Sequence, residues 1–250
     1  MIRPSPVTLE RAAILLVLAV SAGLLLFAPS ITQPQSYHQL ADTRALSLGF
    51  ATVPNAADVL SSLLFTVAGL AGLCLCKVSE PSQRLSLRVF FSGLALTGFG
   101  SVWYHLSPSD ETLVWDRLPM ALAFAGAVGA IAAERLGASA GARWLVGWLA
   151  LATGSVAVWV VTGDLRLYGL AQFGGVVLLL LWVRLGAVAG MVRLPWGWLL
   201  IAYVAAKGFE LFDREIWALT EGVVAGHALK HAAAAVGVVP ILGVLWRRGR

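Results

Sequence analysis

Long apolar runs follow one another along this chain, separated by short polar gaps. Eight can be drawn, at about 11–28, 56–77, 86–107, 113–133, 143–162, 167–185, 196–212 and 221–246. Each approaches the roughly 20 residues that a helix needs to cross a hydrocarbon core about 30 Å thick. The two-residue alternation of a membrane barrel is absent, and apolar runs of this length favour helices, whose backbone polar groups are satisfied internally. The expected fold class is all-α, a polytopic membrane helical bundle. It divides into an extra N-terminal transmembrane helix with its loop, residues 1–36, and a seven-helix core, residues 37–250. The one long gap, 29–55, lies between the first two runs.

Composition supports this reading. Hydrophobic residues make up 59% of the chain and charged residues 12%, and the mean hydropathy is +0.83. The net charge of +5 suggests nucleic acid only until the charges are placed. On alternate loops, one side carries Arg3, Arg11, Lys77, Arg84, Arg88, Arg135, Arg143, Arg184, Arg193, Arg247, Arg248 and Arg250. The other side carries Arg44, Arg166 and Arg214. Twelve against three is the positive-inside bias of an integral membrane protein, with both termini cytoplasmic. Compactness and short loops suggest a bacterial cytoplasmic membrane, and no nucleic-acid partner is expected. The first run could also be read as a signal peptide. Pro29 directly after it disfavours cleavage there, so a retained helix is expected. Cys74 and Cys76 are too close for an ordinary disulfide and read as unpaired thiols.

Polar groups at membrane depth are expensive and mark functional sites. The chain has four histidines. His105 closes the third run, about 25 Å above Arg88 by helical rise. Asp116 stands at the start of the fourth run. His227 and His231 are expected about 9 and 15 Å below Glu221, taken as the outer end of the last helix. All reach the same outer half of the bilayer. Ser101 and His105 share a helix face, as do His227 and His231, because each pair is four residues apart. Two histidines at that spacing plus a third from another helix make a three-histidine metal set with one open position. An ion held so acidifies water and polarises a carbonyl. Asp116 is then a candidate to hold or deprotonate that water, and Ser101 to donate to an oxyanion. Without a metal, the same residues read as helix–helix hydrogen bonders, and Ser101 after Gly98 and Gly100 as a small contact residue. Arg117 points about 100° away from Asp116 and is expected to snorkel or pair with a carboxylate. Lys207, Glu210, Asp213, Arg214 and Glu215 read as an ion-pair network, with Glu210 or Asp213 as the partner of Lys230. Trp103, Trp115, Trp196, Trp198 and Trp246 fit an interfacial belt.

Four motifs, Asn55-x-x-Asp-Val-Leu-Ser61, Gly100-Ser101-x-x-x-His105, Asp116-x-x-Pro-Met120 and His227-x-x-x-His231, occur in this order. In them the chain resembles the alkaline ceramidase family, part of a wider group of seven-helix membrane hydrolases that includes adiponectin-receptor-like proteins. The resemblance covers about residues 37–246. It implies a zinc-dependent amidohydrolase that cleaves the N-acyl amide of a ceramide-like lipid. His105, His227 and His231 are then the zinc ligands, Asp116 orients or activates water, and Ser101 stabilises the oxyanion. By the charge count above, the site is expected to face the extracytoplasmic side. Eukaryotic members also bind calcium through acidic residues before and at the start of their first helix. The corresponding region here offers Asp42, Asn55 and Asp58, with Asn55 where an acid would stand, and the same residues read equally as helix capping and loop ordering. Two other classes stand beside this one. Gly98-Phe-Gly-Ser101 with a later histidine suits an intramembrane serine protease. A receptor-like or transporter-like bundle with a structural metal needs no chemistry at all.

Overall fold

The structure, a computed structural model, describes residues 5–250, the Val78 side chain apart. Arg3, counted above with the basic residues, lies outside them. The described chain is almost wholly helical. Its single strand pair, Leu46–Ser47 with Thr52–Val53, is a small antiparallel hairpin in the long loop.

Among the described residues, six helices are long and apolar enough to cross a membrane. Helix α1 (Pro6–Phe27) starts where the Ser5 hydroxyl accepts from Thr8 N, with Pro6 at the first position. Helix α2 (Ala56–Leu75) follows the hairpin, and α3 (Pro81–Leu106) begins at the Glu80 carboxylate. Helix α4 (Asp110–Leu136) opens on a reciprocal Ser109–Thr112 capping box, the pairing that satisfies two orphan donors at once. Helix α5 (Ala138–Thr162) stops at Gly163, whose φ of 74° lies in the left-handed region that favours glycine. Next come α6 (Arg166–Gly169), a wide turn at Leu170–Gly174 and α7 (Gly175–Trp182), one nearly continuous rod. After it stand α8 (Trp196–Leu211) and the short α9 (Asp213–Leu219). The final span is α10 (Gly226–Val236) and α11 (Val239–Arg248), broken at Gly237–Val238 just before Pro240.

Two of the eight expected crossings therefore fall short. The 166–182 rod and the 16-residue α8 each rise only about 25 Å. The last run also begins five residues later than its hydropathy suggests. Glu221 and Gly222 take positive φ values of 51° and 78°, and α10 starts only at Gly226. His227 therefore sits in the first turn of its helix rather than 9 Å down it.

Helix α3 is central and packs against α2 on one side and α4 on the other. Small residues make that close approach possible. A Cβ at Gly69 would lie 2.6 Å from Phe91 O and 2.7 Å from Ala95 Cα. At Gly100 it would overlap the Trp115 carbonyl. Helix α10 closes the bundle against α2 and α8. Helix α1 lies outside and keeps most of its apolar surface exposed. Two cationic groups hold it. Arg143 pairs with Glu10 at 2.6 Å, and Arg166 Nη1 donates to the carbonyls of Leu24 and Ala28 at 3.0 and 2.7 Å.

Of the expected tryptophan belt, Trp103, Trp115, Trp198 and Trp246 are exposed, but Trp196 is fully buried. Its indole donates to Glu134 Oε2 at 2.7 Å. Glu134 also accepts from Leu194 N at 3.2 Å and pairs with Arg135 at 2.8 Å. Arg135, counted as a loop charge, is therefore a buried partner. Cys74 and Cys76 are free thiols.

Candidate metal centre

The last turn of α3 and the first two turns of α10 bring His105, His227 and His231 together. One ring nitrogen from each lies within 4.8 Å of the others, and all three residues are buried. Ring centroids are 4.9 to 5.1 Å apart. Among the described residues this is the one convergent set of three or more such side chains. The three spaced histidines singled out in the sequence thus form a set that can hold a metal ion.

The surroundings fit that use. Neither nitrogen of His105 has a hydrogen-bond partner among the described residues. A buried imidazole with both nitrogens unpaired is costly, and ligation would relieve it. His231 Nδ1 lies 2.9 Å from Ser61 Oγ. That contact fixes the ring and leaves Nε2 for an ion, in the manner of outer groups that orient metal-binding histidines. His227 is anchored through its backbone, since its N–H donates to Asp213 Oδ1 at 2.7 Å. Asp213 Oδ2 accepts from Ala41 N at 3.1 Å, so one carboxylate ties the start of α10 to the long loop. Lys230 Nζ stands 2.9 Å from His227 Nε2 and 3.1 Å from Glu210 Oε1. An ion at His227 Nε2 requires the ammonium to turn fully to Glu210; otherwise His227 offers Nδ1.

Ser101, Asp116 and His231 line one cavity of about 430 Å³. Its polar end gathers Tyr37, Arg117, Lys207, Glu210 and Lys230. Its other end is apolar, with Phe90, Leu94, Phe124 and Leu179. From Ser101 to Phe90 the cavity follows α3 for about 16 Å by helical rise. Asp116 lies two turns into α4, not at its start, because α4 begins at Asp110. Ser101 Oγ is 3.0 Å from Ser62 Oγ, which also bonds the Asp58 carbonyl at 2.7 Å. Ser101 and His105 share no hydrogen bond, since both nitrogens of His105 are unpartnered.

Of the residues considered for calcium, Asp58 keeps both carboxylate oxygens buried without a hydrogen-bond partner among the described residues, while Asp42 and Asn55 are engaged elsewhere. Asp42 accepts from Arg44 Nη2 and Nε at 2.7 and 2.9 Å, and that pairing holds its carboxyl below the usual range. Asn55 occupies the residue before α2, yet its side chain makes no cap. Its amide instead donates to His105 O at 2.8 Å, from a left-handed φ of 46°. Asp58 is buried in the first turn of α2. The fourth histidine, His38, stays outside the triad, 3.0 Å from both Asp110 Oδ1 and Tyr104 Oη.

Of the two partners expected for Lys230, Glu210 is the one that pairs with it. Glu210 bridges Lys207 at 2.6 Å and Lys230 at 3.1 Å. It also accepts from Tyr37 Oη at 3.1 Å. Burial, and then the Glu210 charge, keep the Tyr37 phenol well above its ordinary pKa, so it stays a donor. Asp213, expected in the same ion-pair set, serves the α10 backbone instead. Ser61 stood in a quoted motif without a role. Arg117 neither snorkels nor meets a carboxylate; it lies over the rings of Trp159 and Tyr168 at 4.2 and 4.7 Å.

Compared with protein-family models, curated proteins and solved structures, the chain matches none.

Proposed function

We propose that this chain is an integral membrane metallohydrolase that cleaves the N-acyl amide of a lipid, with zinc as the metal and a ceramide-like amide as the type of bond attacked. The observation that carries the reading is the buried histidine triad beside a cavity lined by Asp116 and Ser101. A three-nitrogen set with no fourth protein ligand suits a catalytic zinc rather than a closed structural one. The ion would supply Lewis acidity to the amide carbonyl and to water.

The chain's own groups account for the remaining chemistry. The apolar end of the cavity takes the acyl chain, and the polar end takes the amine portion. Asp116 takes a proton from the attacking water and returns it to the amine nitrogen as the C–N bond breaks, so a carboxylic acid and an amine leave. Ser101 donates a hydrogen bond to the carbonyl oxygen as it gains charge. Tyr37 and the Glu210–Lys230 pair order the polar end. The basic bias of alternate loops in the sequence supports an orientation with this end on the extracytoplasmic side and both termini cytoplasmic.

One specific observation weighs against a serine nucleophile: Ser101 has no histidine within hydrogen-bond distance to activate it. The test is fatty-acid release from an N-acyl sphingoid lipid by protein reconstituted in nanodiscs, with and without chelator. Wild type is expected to lose activity to chelator and regain it with zinc. His231→Ala is expected to lose the metal. Asp116→Asn is expected to keep the metal and lose about 10²–10⁴ in turnover, the usual worth of a general acid–base. Chelator-resistant activity that depends on Ser101 would overturn the metal mechanism. A metal-replete protein that cleaves no lipid amide would leave a structural metal in a non-enzymatic bundle.

A further inference from the structure

We propose that the polar end of the cavity is an oxyanion site centred on Arg117, and that the lipid it accepts carries a carboxylate or phosphate next to its amide. This rests on the hydrolase reading for the amide and on independent geometry for the anion.

Arg117 is 6% exposed and lines the same cavity as Asp116 and Ser101. Its Nη1 is buried with no hydrogen-bond partner among the described residues. Its Nη2 donates to Gln33 Oε1, a neutral acceptor. Described carboxylates within ion-pair distance pair with other cations and not with this guanidinium. Its faces are covered instead, by Trp159 at 4.2 Å, Tyr168 at 4.7 Å and Tyr37 at 5.9 Å. Those rings hold the plane of the guanidinium and attract it through their faces. They bring no counter-charge, and a buried guanidinium without an ion-pair partner is costly.

The rest of the cavity's charge agrees. Arg117, Lys207 and Lys230 line it, against Asp116 and Glu210. Glu210 is shared by the two lysines at 2.6 and 3.1 Å. With Asp116 ionised, three cations face two carboxylates among the lining residues, and Arg117 makes no ion pair with either. A guanidinium edge held by stacked rings, with free donors, suits the bidentate grip of a carboxylate or phosphate. Arg117 and Asp116 line the same cavity, so the bound anion shares that space with the proposed acid–base group and the scissile amide. A neutral N-acyl amino alcohol leaves this charge unanswered. An N-acyl amino acid, or an N-acyl amine bearing phosphate, answers it.

The test uses metal-loaded protein in zwitterionic nanodiscs and three amphiphiles of equal chain length: dodecanoyl ethanolamide, dodecanoyl glycine and dodecyl phosphate. Equilibrium binding is measured for wild type, Arg117→Gln and Arg117→Lys. Wild type is expected to bind at least one of the two anions about 10- to 100-fold tighter than the ethanolamide, the worth of a hydrogen bond to a charged group. The tighter of the two identifies carboxylate or phosphate. Arg117→Gln is expected to abolish the difference, and Arg117→Lys to keep only part of it, because the charge remains while the fork is lost. Equal binding of all three ligands by wild type overturns the proposal even if the variants fail to fold. A preference that survives Arg117→Gln overturns it too. Hydrolysis of N-acyl lipids without anion preference sinks the anion site and spares the hydrolase. Anion preference without hydrolysis of any amide does the reverse.

Discussion

Gly100→Ala is expected to separate metal binding from turnover. Gly100 is where α3 touches α4, and a Cβ there would lie 2.6 Å from Trp115 C and 3.2 Å from Asp116 N, overlapping the Trp115 carbonyl oxygen. Side-chain Cβ atoms essentially never come within 3.0 Å of such atoms, and the obstacle is backbone, so no rotamer change relieves it. Helix α4 must give way by an amount on the order of 1 Å, at the upper end of the 1–3 kcal/mol typical of overpacking. The histidines stand on α3 and α10, whereas Asp116 stands on α4. The displacement therefore moves the proposed base away from a metal set that stays whole. A misplacement of about 1 Å costs roughly 10²-fold in rate. Three readings on purified protein decide the matter: metal per chain, turnover, and the thermal midpoint in detergent. The variant is expected to keep its metal, lose about 10²-fold in turnover and melt lower. Gly154→Ala on α5, where a Cβ meets nothing within 4 Å, is the control and should change none of them. Full turnover with an unchanged midpoint would refute the claim that the Gly100 contact places Asp116. Loss of metal together with turnover would show that α3 yields instead of α4.

Ser61→Ala removes the group that fixes His231 Nδ1; metal affinity should fall about 10- to 100-fold, read by competition with a chelating dye, and an unchanged affinity would mean packing alone orients the ring. Asp213→Ala frees the first turn of α10 and the loop at Ala41, at a cost of about 1–2 kcal/mol by analogy with lost caps; faster metal release is the expected sign. Asp164 is held down to about 2 by its hydrogen bonds from Arg166, the residue that also caps the end of α1. A depressed carboxyl stabilises above its unfolded value of about 3.9 and loses that contribution as pH falls through about 2. The midpoint difference between wild type and Asp164→Asn should therefore shrink on acidification from about pH 4 towards pH 2, and a difference constant with pH would contradict the linkage. A cysteine placed at Ser109, in the turn before α4, should react with an impermeant thiol reagent in intact cells, whereas labelling only after lysis would reverse the proposed orientation.

What could be read from the sequence was what depends on local spacing. His227 and His231 are four apart on one helix, and that spacing alone puts their rings side by side. Apolar length picked out the six long spans for the same reason. At α8 and at the 166–182 rod the helices are shorter than the apolar runs, because hydropathy reports lipid compatibility and not where a helix stops. It misplaced the start of α10, where the turn at Glu221–Gly222 is set by backbone bonds to Ala218 and Trp217 carbonyls rather than by any apolar pattern.

The partners of the polar groups were a different matter. A buried polar side chain in an apolar bundle must be satisfied by something, so the sequence announces the need without naming the answer. Asn55 finds a carbonyl 50 residues on, and Trp196 finds a carboxylate 62 residues back. Asp213 reaches a loop 172 residues away. None of these pairings has a local signature, so Asn55 read as a cap, Trp196 as a belt residue and Asp213 as part of an ion-pair cluster. The same rule gives weight to groups that stay unanswered once the fold is in place. Arg117 lines the cavity and His105 stands beside His231, which also lines it; both keep buried nitrogens without a partner among the described residues, as Asp58 keeps both carboxylate oxygens. In His105 the unmet need is for a cation, since its companions are two imidazoles. In Arg117 it is for an anion, since its companions are aromatic faces. A metal ion held by the three histidines would meet the first need and an anionic group of a ligand the second, so the proposed metal and the proposed anion do not compete for the same side chains.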